Sequence, residues 1–148
     1  MINELDVIEQ VVKVIQEGLN NYLDESYPAI TDKQVVIDFP NSDKMPYSTM
    51  LYVQPSYSEY EGLTTNSDRV DFRVSVFILV KKDTKSNLTL KRFAYYNALY
   101  NLLRCNTTLD AFVDRTYFND TTFYPAVEAN ENVQGSESSL SVIFTKDF

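Results

Sequence analysis

The sequence predicts an α+β domain: a mostly antiparallel sheet of about five strands with two main helices packed on one face. Three observations carry this. Leu5, Ile8, Val12, Ile15, Leu19 and Tyr22 recur at alternating spacings of 3 and 4, the period of a helix with one apolar stripe. From Arg69 to Lys81 the chain alternates strictly, with Val70, Phe72, Val74, Val76, Ile78 and Val80 on one face, the pattern of a core strand. The remaining strand-like segments cluster before and after a second helix instead of alternating with helices, which excludes a parallel α/β sheet. A chain of 148 residues has room for one such domain and no second core.

Taken in order, Asn3 is a candidate N-cap for the first helix, with Glu4 and Asp6 in its first turn, where the helix dipole favours acids; Pro28 marks its limit. Residues 34–39 read as a short strand ended by Pro40, and Met50–Gln54 as a second closed by Pro55. Residues 56–67 are polar, with Tyr57, Tyr60 and Gly62, and read as a twelve-residue loop. The long strand 69–81 follows. Its second face starts charged at Arg69, Asp71 and Arg73 and ends apolar at Phe77 and Leu79, so that its far half needs cover. Residues 82–86 turn the chain. A helix from Leu88 to Arg104, capped by Ser86 or Asn87, carries an apolar stripe wide enough for contact on more than one side. Thr108 is placed to cap a short turn. Strands at 121–129 and 139–146 close the chain, with residues 132–136, containing Gly135, as their hairpin turn.

Composition excludes much chemistry. The chain has no His, one Cys and three isolated glycines, so no His-based triad, Cys–His pair, internal disulfide or glycine-rich phosphate loop can be built. The paired carboxylates Asp68/Asp71 and Asp24/Glu25 read as surface acids, the first pair pointing to opposite faces of a strand. Cys105, beside Arg104 at a helix end, reads as a half-buried structural thiol. No catalytic, cofactor-binding or metal-ligating residue is expected.

Net charge is −8, against a free-standing nucleic-acid-binding module. The charge is uneven: residues 68–105 carry +5, while 1–33, 34–67 and 106–148 carry −5, −3 and −5. A basic face and acidic faces suit a subunit that pairs with its own copies; the bland reading is an unevenly sampled solvated surface. Eleven tyrosines are the most unusual feature, with Tyr47, Tyr52, Tyr57 and Tyr60 around the second strand and loop. Tyrosine gives large contact area at low entropy cost, which suits interfaces, though it also fills half-buried strand positions. The expected interface residues are therefore Tyr57, Tyr60, Arg69, Arg73, Lys81, Lys82, Lys91 and Arg92, with Lys91 and Arg92 exposed. Phe77 and Leu79 in the apolar half of the long strand are the fallback. The acidic N-terminus is unlike a secretion signal, and Val74–Val80 is too short to span a bilayer, so synthesis in a reduced cytosolic interior is expected.

The arrangement resembles the tail terminator and neck proteins of long-tailed bacteriophages, the head–tail joining or tail completion proteins. The amphipathic helix Leu5–Tyr22 leads to a short strand and a Pro-flanked turn. Met45-Pro46-Tyr47-Ser48-Thr49-Met50-Leu51-Tyr52-Val53 is like the proline–aromatic strand start of that family. The charged-then-apolar strand 69–81, the aromatic helix 93–103 and a terminal strand complete the likeness, with the Tyr-rich polar stretch 56–67 as a departure that suits another tail or collar component equally. The resemblance implies a virion protein without enzyme activity or cofactor. It implies a ring, commonly hexameric, that caps the tail tube, meets the head connector or stopper protein, and lets genomic DNA pass without sequence-specific binding. Two other classes compete. An acidic DNA-mimicking inhibitor of the immunity or anti-restriction type would need regular rows of acids, which the basic middle segment opposes. A small enzyme using carboxylates alone would need a cleft that shifts their pKa values.

Overall fold

The computed structural model describes residues 1–83 and 87–148. Helix α1 spans Glu4–Gly18 and continues into one 3-10 turn, Leu19–Asn21. Asn3 caps it reciprocally: its side chain accepts from the Asp6 amide and the Asp6 carboxylate accepts from the Asn3 amide, both at 3.0 Å. The buried face is Val7, Ile8, Val11, Val14, Ile15 and Leu19; of the expected stripe Ile8, Ile15 and Leu19 are buried and Val12 half-buried against the core, whereas Leu5 and Tyr22 are exposed. Valines at 7, 11 and 14 make a second stripe that overlaps the first at Ile8 and Ile15, and the helix buries that one. The α-helix ends at Gly18, ten residues before Pro28. A Cβ at Gly18 would lie 2.6 Å from Leu102 Cδ1, so the missing side chain lets this end of α1 meet the second helix closely.

Strand β1 is Val35–Ile37, β2 Thr49–Thr64 and β3 Ser67–Lys81; helix α2 is Leu88–Cys105; β4 is Arg115–Tyr124 and β5 Val133–Asp147. They form one five-stranded sheet in the order β1-β2-β3-β5-β4. Only β1–β2 is parallel; the other pairs are antiparallel. This is the α+β class expected. The Asn87 side chain caps α2 by accepting from the Leu90 amide; Ser86, the other candidate cap, and residues 84–86 of the expected turn lie outside the described residues.

The β3 alternation is obeyed: Val70, Phe72, Val74, Val76, Ile78 and Val80 are all buried in one cluster with Val7, Val11 and Ile15 of α1 and Tyr95, Leu99 and Leu103 of α2. A smaller apolar cluster forms around Leu79, with Met45, Met50, Tyr52 and Val133. The wide stripe of α2 is explained by β4. Phe93 and Tyr96 each sit 5.0 Å from the Phe123 ring, and Tyr100 sits 5.0 Å from Phe118.

Three expectations are corrected. Residues 56–67 are not a loop: β2 pairs with β3 out to Thr64↔Ser67, making a long hairpin arm. Polar residues on both faces, and bulges between Pro55 and Tyr57 and between Gly62 and Thr64, erase the period-2 signal. The 121–129 strand lies at 115–124 instead. The turn before β5 centres on Glu128 and Ala129, both left-handed at φ 52° and 61°, not on Gly135. A two-residue turn of this kind built without glycine carries no sequence signal.

Gly135 lies inside β5, where a Cβ would meet Leu79 Cδ2 at 2.8 Å, the Ile78 carbonyl oxygen at 3.1 Å and Val127 Cγ2 at 3.2 Å. The leucine can move; the carbonyl, held in the ladder, cannot. Gly135→Ala therefore costs about 1–3 kcal/mol as overpacking, read as a lower urea midpoint with an unchanged m-value. A midpoint equal to wild type refutes this account of the site.

Candidate assembly surface

The surface is built by where β1 stops. Its three residues pair with Leu51–Val53 of β2 and no further. From Gln54 to Thr64 the outer edge of β2 has no strand beside it among the described residues. The bulge at Ser56 then swaps faces. Leu51 and Val53 lie in register with Ile78 and Val76, but beyond the bulge Ser58 and Tyr60 lie in register with Phe72 and Val70. Tyr60 thus points to the helix side and Tyr57 to the other.

Tyr60 closes on α1. Its hydroxyl donates to Glu4 Oε2 at 2.8 Å, and Lys146 Nζ of β5 donates to Glu4 Oε1 at 2.9 Å. Partial burial alone would raise the Glu4 carboxyl; the bonds from Lys146 and Tyr60 and the Lys146 charge outweigh it and hold the pKa below the ordinary glutamate value. The hydrogen bond to Glu4 in turn raises Lys146 above the ordinary lysine value, against a smaller opposing effect of burial. A depressed carboxylate contributes stability that is present above its unfolded pKa and lost as pH falls through the folded one. The raised lysine contributes stability that is present below its unfolded pKa and lost as pH rises through the folded one. Wild type should lose part of its stability on acidification below the ordinary glutamate range. Glu4→Gln should be less stable at neutral pH and converge on wild type in acid; parallel pH profiles would refute the contact.

Between α1 and the bulge lies an open cleft of about 380 Å³, lined by Leu5, Ile8, Ile37, Pro55, Tyr57 and Phe72 among others. A second groove of about 380 Å³ runs along Val36, Ile37, Phe39, Met50 and Tyr52. Ile37 belongs to both. Leu5, Ile37 and Phe39, which line these two grooves, are large apolar side chains left exposed, as are Tyr57, Tyr60 and Leu63 along the arm.

The structure sorts the residues expected to form an interface. Tyr57 and Tyr60 are exposed on the hairpin arm, 57 beneath Arg73, whose guanidinium lies 5.7 Å from the ring. Arg69 is exposed and 3.7 Å from Glu61; half-buried Arg73 pairs with Asp71 at 3.2 Å. Asp71 holds the Arg73 guanidinium above its ordinary pKa. Lys81 and Lys82 are exposed at the end of β3. Lys91 and Arg92 are not exposed as expected: 1% and 6% of their surface is accessible. Lys91 Nζ lies 3.2 Å from Asp83, and Arg92 donates to the Tyr124 carbonyl and lies over the Phe93 and Phe123 rings. Leu79, at 2%, is sealed against Met50, Tyr52 and Val133, and Phe77 is half-buried against it. So the apolar half of β3 is packed by the chain itself, by Met50 and Tyr52 of β2, Val133 of β5 and Val127. Cys105 is exposed, not half-buried, because the last turn of α2 points Leu102 and Leu103 inward and residue 105 away. Sequence reasoning missed Leu5, Ile37 and Phe39; no local signal marks them, since each belongs to an apolar pattern that elsewhere goes to the core.

Among the described residues no group of three Cys, Asp or Glu is placed to hold a metal. Asp68 lies in register with Lys146 and Asp71 pairs with Arg73, each on its own face of β3. The acids of the arm are interleaved with Arg69 and Arg73 and form no continuous row.

No family model matches the chain, and no curated protein does. Among solved structures, it is similar to the sheath/tube terminator in the extended state of PVC, an extracellular contractile injection system. The TM-score is 0.49 at 15% identity, over 95% of this chain and 57% of that one. The chain thus spans little more than half the length of that terminator. A chain from the virion of a native gene transfer agent particle is similar with a TM-score of 0.39 at 12% identity, over 92% of this chain and 98% of that one.

Proposed function

We propose that the chain is a non-enzymatic structural subunit of a phage or prophage virion. It forms a ring at the neck, caps the tail tube and joins it to the head connector or stopper protein. The observation that carries this reading is the set of exposed apolar side chains Leu5, Ile37, Phe39, Tyr57 and Tyr60 around the partly uncovered edge of β2. Large apolar side chains clustered on a soluble surface mark a contact with another protein, and tyrosines on a β-arm serve as anchors that lose little entropy on binding. The resemblance in element order to tail terminator and neck proteins supplies the setting. A net charge of −8 suits a ring that DNA traverses, since an acidic lining does not hold phosphates. Synthesis in the bacterial cytoplasm and residence in the virion follow from this role.

Negative-stain electron microscopy tests it. The protein is mixed with tail tubes assembled from the same phage or prophage genome. Rings, or extra density at one tube end, are the expected result. Tubes with bare ends, together with a protein that stays monomeric and blocks a DNA-binding enzyme, would replace this reading with the acidic inhibitor.

A further inference from the structure

Among the described residues the sheet leaves unpaired the outer side of the three-residue β1, the Gln54–Thr64 stretch of β2 and the outer side of β4, the last two being long enough to pair. We propose that these edges join, β4 of one copy adding to β2 of the next, so that the sheet runs on from subunit to subunit. The proposal rests on the ring reading and names the surface that would close it.

Direction allows the join. β2–β3, β3–β5 and β5–β4 are each antiparallel, so within the chain β4 runs opposite to β2. A second copy in the same orientation therefore offers its β4 antiparallel to β2, with its helices on the same side. The contact is head to tail, the kind that closes rings.

Register follows from three constraints. β1 occupies the edge up to Val53, so pairing starts at Gln54. Side chains facing one way must stay together. Within the stretches that pair, Gln54–Glu61 and Arg115–Thr122, each edge carries one bulged residue, Ser56 on β2 and Asn119 on β4; the second bulge of β2, at residue 63, lies beyond them. Setting Thr122 opposite Gln54 and counting through both bulges places Asp120 opposite Tyr57, Phe118 opposite Ser58, Tyr117 opposite Glu59, and Arg115 opposite Glu61. Every pair keeps its face. Phe118 then stands at the rim of the apolar cleft, which Ser58 and Phe72 line. Charge agrees. Arg115 is exposed and has no carboxylate partner among the described residues; its guanidinium lies over Tyr117 at 4.8 Å. The receiving edge offers Glu59 and Glu61, both exposed. Pairing would also cover two edges that in a free monomer invite unspecific strand addition.

Cross-linking tests the register directly. Within one chain positions 59 and 117 are separated by β3 and β5, roughly 14 Å at the usual strand spacing, beyond disulfide reach. In a Cys105→Ser background, Glu59→Cys with Tyr117→Cys should oxidise to a ladder of linked oligomers, whereas either cysteine alone gives no more than dimers. In parallel, Arg115→Glu and the pair Glu59→Arg/Glu61→Arg should each weaken self-association at least tenfold by analytical ultracentrifugation. The three together should restore it, with circular dichroism unchanged throughout. No ladder, or no restoration, overturns the edge join. A protein that still caps tail tubes under those results keeps the neck reading and loses only this interface; a protein that neither caps tubes nor links to itself loses both.

Discussion

Lys91→Glu/Arg92→Glu unfolds the chain instead of disabling an interface. Both side chains are inside: Lys91 reaches Asp83 at 3.2 Å and the Lys81 carbonyl at 3.5 Å, and Arg92 holds the Tyr124 carbonyl at 3.1 Å. Burial pulls the Arg92 guanidinium below its ordinary pKa, and its Nε has no partner among the described residues. Glutamate at 91 sets a carboxylate against Asp83 and a carbonyl oxygen. Glutamate at 92 does the same against Tyr124 and exchanges a cation over the Phe93 and Phe123 rings for an anion, which the negative ring faces repel. Breaking one buried pair costs about 3–5 kcal/mol, and a domain's whole stability is about 5–15 kcal/mol. Asp83 is partly exposed and can take back water, which puts its share at the lower end. The double variant should lose its cooperative thermal transition or show it lower by more than about 10 °C, at roughly 2–4 °C per kcal/mol for this size. Lys91→Met, which keeps the aliphatic stem and sets no second carboxylate beside Asp83, should cost far less. A double variant melting within a few degrees of wild type would mean that both side chains leave the interior freely.

These two residues show what the sequence could not convey. Arg and Lys at the start of an amphipathic helix read as surface, because long charged side chains are rarely buried fully. What buries them comes from other elements: Asp83 lies eight residues upstream, beyond the end of β3, and Phe123 and Tyr124 lie on a strand some thirty-two residues downstream. By contrast the even face of β3 was legible, since strict alternation over a full strand admits one reading. Asn3 as the cap of α1 was legible too, and Asn87 as one of two candidate caps of α2, both being local chemistry; the reciprocal bond to Asp6 was not read. The hairpin arm was hidden because its tip meets solvent on both faces and needs no apolar period. For the candidate site, Tyr57 and Tyr60 were visible as unusual residues, but Leu5 was assigned to the core. Its place in the helix stripe was as good as that of Ile8; the choice between overlapping stripes is made by the sheet beneath.

Replacing the exposed apolar side chains, as in Leu5→Ser/Ile37→Thr/Phe39→Ser, should leave the free chain folded and remove its association. The three residues are exposed, so the monomer loses little. Thr keeps the β-branch that suits strand β1, and Ser is tolerated in the first turn of α1, where polar side chains reach free amides. Across an interface the balance differs. Fully burying one large apolar side chain contributes about 1.5–3 kcal/mol; taking the lower figure for each of the three gives about 4.5 kcal/mol, on the order of a thousandfold in affinity. Charge reasoning alone predicts otherwise: screening falls to about 3 Å at 1 M salt, so an interface made of exposed ion pairs should fail there. Four of the eight bases of the 68–105 segment are engaged within the chain, Arg69 with Glu61, Arg73 with Asp71, Lys91 with Asp83 and Arg92 with the Tyr124 carbonyl. Association should therefore shift by less than about tenfold between 0.1 and 1 M salt, and by about a thousandfold in the triple variant. Sedimentation equilibrium across both series decides it: an assembly that dissolves in salt yet survives loss of Leu5, Ile37 and Phe39 would return the interface to the charged residues and leave those apolar side chains without a role.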